Sequence, residues 1–284
     1  MHALEKIKDK ARKNLQNIVL PESSDARMVQ AAAQVTREGT ARITLLGNPD
    51  EIRKIASENS ADLKGVEILD HLKSENFDRY AEAYFELRKN KGVTLEQARQ
   101  IIADPLFYGA MMIRQKEQSG LVAGAVNSTA NVLRATIQII GMKAGVKTVS
   151  SCFLMILPKE QAHFGHEGCL IYSDCGVVPN PTAEQLADIA MAAASSFRDL
   201  VGGEPMVALL SFSTNGSAQH PDVDKVKAAV EILKSRNVDF AFDGEMQGDA
   251  ALIPSIGERK FKGSRVAGKA NVLIFPDLDA GNIA

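Results

Sequence analysis

Val207-Ala-Leu-Leu-Ser-Phe-Ser-Thr-Asn-Gly-Ser-Ala218 begins as a short apolar run and then breaks into hydroxyls, an amide and a glycine. A helical pattern follows from about Pro221. Strand, polar turn and helix in that order are the repeating unit of α/β folds, and in open α/β sheets ligands collect at the carboxyl ends of strands. A turn with free backbone N–H groups that opens a helix attracts anions. Ser211, Ser213, Thr214, Asn215 and Ser217 add side-chain donors around Gly216. Nothing in the turn is basic, so an anion there is held by neutral donors and the helix dipole. The same residue types are the preferred helix caps, but five of them in seven positions exceed what a cap needs.

The 284 residues are long for one hydrophobic core, so two lobes are expected. Hydrophobic residues make up 45% and charged residues 24%, the balance of an ordinary globular protein. A net charge of -2 argues against general nucleic-acid binding, and 5% aromatic residues with no tryptophan argue against base-stacking platforms. No apolar run reaches the length that spans a bilayer. The first ten residues read as an amphipathic helix and not as a signal peptide. Cys152, Cys169 and Cys175 are odd in number and form no C-x-x-C pair, which fits a reducing cytoplasm.

Upstream of the turn, short strands at Asn17–Leu20, 41–46 and 65–69 alternate with helical patterns, the spacing of parallel βα units. Ser23 or Ser24 is the expected cap of the first of these helices. From Asn76 to about Lys116 the pattern is helical with two interruptions: Thr94 opens a capping box with Gln97, and Asp104-Pro105 starts another helix. Arg88, Lys89 and Lys91 lie on a polar face there, read from pattern alone as solvated. Leu121–Val126 reads as a buried strand that ends in a second polar turn, Asn127-Ser-Thr-Ala-Asn-Val-Leu-Arg134, running into a helix. Arg134 lies roughly two turns into that helix, where a guanidinium pairs with a carboxylate or binds a phosphate.

A change of pattern near residue 145 divides the chain into an N-terminal α/β domain, 1–145, and a second α/β domain, 146–284. Residues 148–157 and 169–172 read as antiparallel strands joined by a loop holding His163, His166 and Glu167, too few ligands for a metal site. Thr182 caps a long helix through Leu200. Beyond a strand at 238–242, Asp243, Glu245 and Asp249 are open to three readings: acid/base groups, Mg²⁺ ligands, or turn and cap residues. Asp277–Ala284 starts a helix that stops in its first turn.

Six stretches in order then resemble the phosphate acetyltransferase (phosphotransacetylase) family: Leu20-Pro-Glu-Ser-Ser-Asp-Ala-Arg27, Ser128-Thr-Ala-Asn-Val-Leu-Arg134, Ser211-Phe-Ser-Thr-Asn-Gly-Ser-Ala218, Asp243-Gly-Glu-Met-Gln-Gly-Asp-Ala250, Val266-Ala-Gly-Lys-Ala-Asn271 and Phe275-Pro-Asp-Leu-Asp-Ala-Gly-Asn282. The resemblance implies a two-lobed α/β fold of the isocitrate and isopropylmalate dehydrogenase type, with the active-site cleft between the lobes, and a homodimer in the cytoplasm. It implies reversible acetyl transfer, acetyl-CoA plus phosphate giving acetyl phosphate plus CoA, with no metal or organic cofactor and with CoA, acetyl phosphate and phosphate as small-molecule partners. By position, Arg134 takes a catalytic role and Arg88 a CoA contact. Ser128, Thr129, Ser213, Thr214, Asn215, Gly216 and Ser217 are then expected to surround the substrate.

The sequence departs from the commonest family pattern at Asn127, where many members have His, and at Ala135, where many have Pro. The family's later Asn-Asp-Leu-Ser-Arg-Gly segment is not among these residues, so the general base is expected beyond Ala284 and the chain is read as truncated. Two other readings compete: a metal-dependent decarboxylating dehydrogenase of the same superfamily using Asp243, Glu245 and Asp249, and a non-catalytic acetyl-CoA-binding regulatory module.

Overall fold

A computed structural model describes residues 3–284 and shows a mixed α/β chain that divides into two units, residues 8–142 and residues 3–7 with 143–284. The amphipathic helix expected from residue 1 is α1 (Ala3–Lys13), its first two positions lying outside the described residues.

In the unit of residues 8–142, β1 (Asn17–Leu20), α2 (Ala26–Glu38), β2 (Arg42–Leu46), α3 (Pro49–Glu58) and β3 (Glu67–Leu69) alternate as the spacing requires. The helical stretch resolves into α4 (Phe77–Arg88), α5 (Leu95–Ile102) and α6 (Pro105–Arg114), followed by β4 (Gly120–Leu121) and α7 (Thr129–Ala135). The strands pair in parallel in the order β3-β2-β1-β4. The caps follow local chemistry: Asn48 and Asp104 each cap a helix whose first residue is proline, and the Thr94/Gln97 capping box forms.

Two local expectations fail. Asp25, not Ser23 or Ser24, caps α2, because the buried Ser23 hydroxyl donates instead to the Leu46 carbonyl. The strand expected at 121–126 ends at Leu121. Beyond it Val122 and Val126 are exposed and Gly124 takes a φ of 116°, so the stretch is a loop despite its apolar composition.

One core lies between the sheet and α4–α6 and buries Tyr80, Tyr84 and Tyr108. Each phenol reaches a partner, as a buried tyrosine requires: Glu117, Gln138 and Ser74 respectively. After α7 the helix loosens into a π-helical turn at Thr136–Ile140, closed by the Gly141 N–H on the Thr136 carbonyl at 3.0 Å. Within it Ile139 is fully buried, and its carbonyl accepts from the Arg114 guanidinium at 2.7 Å.

The second unit holds β5 (Phe153–Ile156), β6 (Cys169–Ser173), α8 (Ala183–Leu200), β7 (Met206–Leu210), α9 (Pro221–Ser235), β8 (Ala241–Met246), α10 (Gly248–Leu252), α11 (Pro254–Lys260), β9 (Val272–Ile274) and α12 (Leu278–Ile283). The sheet order is β5-β6-β9-β7-β8, parallel except for the β5 edge, which pairs antiparallel with β6 as the short connection dictates. Residues 148–152 precede β5 without joining it. Helices α8 and α9 close one face of the sheet over Ile171, Phe197, Val207, Leu209 and Val272. Each such side chain taken from water contributes about 1.5–3 kcal/mol. Strand β8 begins three residues later than expected and runs on to Met246, so Asp243 and Glu245 are strand residues and not loop residues.

Candidate active site

In the unit of residues 8–142, the loop that leads into α7 is built around one acid. Glu22, 5% exposed, follows β1. Its carboxylate accepts from the backbone N–H groups of Gly124 at 2.8 Å, Ala125 at 2.7 Å and Asn127 at 2.7 Å. The Asn127 side-chain amide adds a fourth donor at 3.0 Å. Burial pushes the Glu22 carboxyl up, but the hydrogen bonds from Asn127, Ala125 and Gly124 outweigh it and hold the group below the usual glutamate range. Arg27, held by Asp25, donates to the Ala125 carbonyl at 2.8 Å and pins the loop from its other side. Asn127 is thus a working part of this clamp.

The clamp delivers Ser128 as the α7 cap, its hydroxyl accepting from the Asn131 N–H at 3.3 Å. Ser128 and Thr129 are exposed at the start of the helix. Arg134 is also exposed, and its side chain makes no ion pair or hydrogen bond among the described residues. Arg88 ends α4, with a buried Nε that has no acceptor. Its guanidinium lies against Tyr84, whose phenol burial pushes up while Arg88 pulls it back toward its ordinary value. The polar face expected to be wholly solvated therefore holds one half-buried arginine, whereas Lys89 pairs at the surface with Glu86.

A separate cavity of about 560 Å³ in this unit is lined by Arg42, Thr44, Glu67, Glu117 and Gln118 among others, and reaches the first residues of β1, β2 and β3. Ligands of parallel sheets gather at the carboxyl ends of strands, and neither Arg88 nor Arg134 lines this cavity.

In the other unit the turn after β7 differs from the open nest of N–H groups that its composition suggests. Every backbone N–H from Ser213 to Ala218 has an internal acceptor. Ser213 N–H reaches Ser211 Oγ at 3.2 Å, Thr214 N–H reaches Ser217 Oγ at 3.0 Å, and Asn215 N–H reaches the Glu245 carbonyl at 3.0 Å. Gly216 N–H reaches Glu245 Oε1 at 2.8 Å, Ser217 N–H reaches the Thr214 carbonyl at 3.1 Å, and Ala218 N–H reaches Ser213 Oγ at 3.1 Å. The Glu245 carboxylate, 2% exposed, fills the middle of the turn and also accepts from the Ser213 hydroxyl at 2.8 Å, with Lys227 Nζ at 4.0 Å.

Ser213 and Thr214 are buried at 0% and 4% exposure, and the Thr214 hydroxyl accepts from the Gln247 N–H at 2.9 Å. The polar groups of these two residues are engaged within the turn itself. Asn215, Gly216 and Ser217 are exposed, and left-handed backbone at Asn215 (φ 49°) and Gly216 (φ 80°) turns the chain back toward α9.

The three readings of Asp243, Glu245 and Asp249 now separate. Glu245 organises the turn, Asp249 pairs with Lys260 at 2.9 Å, and Asp243 accepts from the Gly244 N–H at 3.0 Å. Among the described residues no group of three or more His, Cys, Asp or Glu is arranged to hold a metal ion. His166 packs its ring edge-on against Phe197, 6.1 Å between centroids. The organising roles of Glu22 and Glu245 escape pattern reading, because an acid in or just after a strand carries no mark of which loop its carboxylate will meet.

A family model described as "Phosphate acetyl/butaryl transferase" matches residues 2–284. The phosphate acetyltransferase of Acetivibrio thermocellus is 50% identical over 284 residues, covering 100% of this chain and 84% of that protein. Among solved structures, a phosphotransacetylase from Streptococcus pyogenes superposes with a TM-score of 0.90 at 36% identity, over 99% of this chain and 83% of that one. The EutD phosphotransacetylase from Staphylococcus aureus gives a TM-score of 0.88 at 35% identity, over 99% and 83% of the two chains. With the family model matched over residues 2–284, and with 50% identity to a relative of which it covers 84%, the chain belongs to the phosphate acetyltransferase family of acyltransferases.

Proposed function

We propose that this chain carries out the family's reversible acetyl transfer between CoA and phosphate, with Arg134 as the cation that meets the reacting phosphate and Arg88 as a contact to CoA. In the direction of CoA acetylation, the CoA thiol gives its proton to a base and the thiolate sulfur bonds to the acetyl carbon. The carbonyl oxygen takes up negative charge. As the carbon–oxygen bond to phosphate breaks, phosphate departs with that bond's electron pair. Two charges need stabilising, the transient oxyanion and the leaving phosphate, and a guanidinium suits both. The single observation that carries this reading is Arg134: exposed, set by a capped and clamped helix, and without an acceptor of its own.

Ser128 and Thr129 beside it, and the exposed groups of Asn215, Gly216 and Ser217, complete the proposed substrate surface. Ser213 and Thr214 act by holding the turn in shape. In this reading the lobes are residues 1–145 and 146–284 in an isocitrate-dehydrogenase-like arrangement with the cleft between them. The protein works as a cytoplasmic homodimer, and no metal or organic cofactor enters the chemistry. No described helix is long and apolar enough to cross a membrane.

The test is steady-state release of phosphate from acetyl phosphate in the presence of CoA. Arg134→Ala should lower kcat/KM by about 100-fold or more, the loss typical of a group that stabilises charge in the transition state. An Arg134→Ala protein with wild-type kcat/KM and an unchanged fold would refute the assignment.

A further inference from the structure

Helix α4 and the π turn are joined by one buried side-chain hydrogen bond. Tyr84, 2% exposed, donates its hydroxyl to Gln138 Oε1 at 2.8 Å. Tyr84 stands four residues before Arg88 on α4, and Gln138 stands four residues after Arg134, where α7 passes into the π turn. On α4, residues four apart lie on neighbouring turns of one helical face, and Gln138 lies in the π turn that directly continues the helix of Arg134. The bond therefore links the stretch of α4 that carries Arg88 to the stretch of α7 that carries Arg134.

The surroundings fix both ends. The Tyr84 ring meets Phe107 edge-on, 6.2 Å between centroids, which sets the direction of its hydroxyl. The next residue after Gln138, Ile139, is fully buried, and its carbonyl is held by Arg114. On the other side the Arg88 guanidinium rests against Tyr84, with a buried Nε that nothing in its own unit accepts from. A phenol within a core needs only one partner. Here that partner is supplied by an amide from the segment that follows the proposed phosphate-binding arginine.

We infer that Tyr84 and Gln138 are positioning residues that set the separation and aim of Arg88 and Arg134, and through them the fit of the CoA and phosphate groups those arginines meet. This rests on the arginine reading under the proposed function, and the variants are chosen to separate the two. Tyr84→Phe removes one oxygen atom and leaves the ring. Gln138→Met removes the acceptor at nearly constant volume, so a fold defect in one variant does not block the other.

With the full chain, CoA binding is measured by calorimetry and kcat and KM for CoA with acetyl phosphate. Tyr84→Phe and Gln138→Met are each expected to weaken CoA binding and raise KM about five- to tenfold, the size of one lost hydrogen bond, while kcat changes less than KM. The double variant should be no worse than either single one, and Tyr84→Phe should have no further effect when made in Arg88→Ala. Wild-type KM in both single variants, with Arg88→Ala impaired, overturns the brace and leaves the arginines standing. Equal effects of Tyr84→Phe with and without Arg88 show a merely structural role and overturn it as well. Wild-type binding and turnover in Arg88→Ala and Arg134→Ala remove the arginine reading itself, and the brace with it.

Discussion

The loop before α7 and the turn after β7 use the same device to opposite effect. Each is gathered around a buried glutamate, Glu22 just after β1 and Glu245 within β8. Glu22 draws the N–H groups of Gly124, Ala125 and Asn127 inward ahead of the helix, and leaves the helix start and Arg134 facing out. Glu245 sits inside the turn it organises, takes the Gly216 N–H and the Ser213 hydroxyl, and buries two of the hydroxyl residues with it. One loop thus ends with a cation to offer. The other ends with its N–H groups consumed and an anion at its centre. A hydroxyl-rich turn says that donors are plentiful; which way they point is decided by an acid that arrives from elsewhere in the chain.

The comparison is broken most severely at Glu22. Glu22→Ala leaves three part-buried backbone N–H groups without their acceptor, each costing at most about 1–3 kcal/mol before water relieves it. A net loss of about 3–4 kcal/mol in urea unfolding is expected, with acetyl transfer lost through Arg134 even under conditions where the variant is folded. Stability within experimental error of wild type would show that the loop does not depend on this clamp.

Glu245→Gln tests the second turn more gently. The amide keeps the shape and an acceptor oxygen but loses the charge on its bonds to Ser213 and Gly216, an expected cost of about 1.5–2 kcal/mol by the same measurement. Activity should fall less than in Glu22→Ala, because no cation is aimed by this turn. The reverse order would mean that the 213–217 turn carries the main part of substrate binding.

The smallest effect separates the two by pH. The Glu22 carboxyl is held below its ordinary value in the folded state. Its contribution is therefore complete above the usual glutamate range and is lost as pH falls through the lowered folded value. In an acid series of unfolding curves, wild type should lose stability more steeply with falling pH than Glu22→Gln, which has no such proton to take up. Parallel curves for the two proteins would remove Glu22 from the acid response.

Much of the fold was readable because local signals agreed. Asn17–Leu20, the Thr94 capping box, the Thr182 cap, Pro105 and the run into Leu210 combine pattern and cap chemistry, and each became the element expected. Leu121–Val126 misled because apolar composition was the only signal, and Val122 and Val126 face outward in a loop held by Glu22. Strand β8 was placed too early because Asp243 and Glu245 look like loop residues until a buried site for the second carboxylate is known. Arg134 stood out in the polar turn that opens its helix, and Arg88 only through the family resemblance. The Arg134 guanidinium and Arg88 Nε, unpaired among the described residues, and the Tyr84–Gln138 link are matters of distance between residues far apart in the chain, which no local pattern encodes.

The π turn at Thr136–Ile140 has a consequence in arithmetic. A helix turns about 100° per residue, whereas the wider π turn, with i→i+5 bonds, advances by less at each step. This turn closes the helix at Gly141, so the residues within it sit rotated from where an α-helix would place them. Ile139 can therefore enter the core without tying its direction to the α-helical spacing that sets out Ser128 to Arg134. The helix keeps its surface face, and its last turn takes up the mismatch with the core.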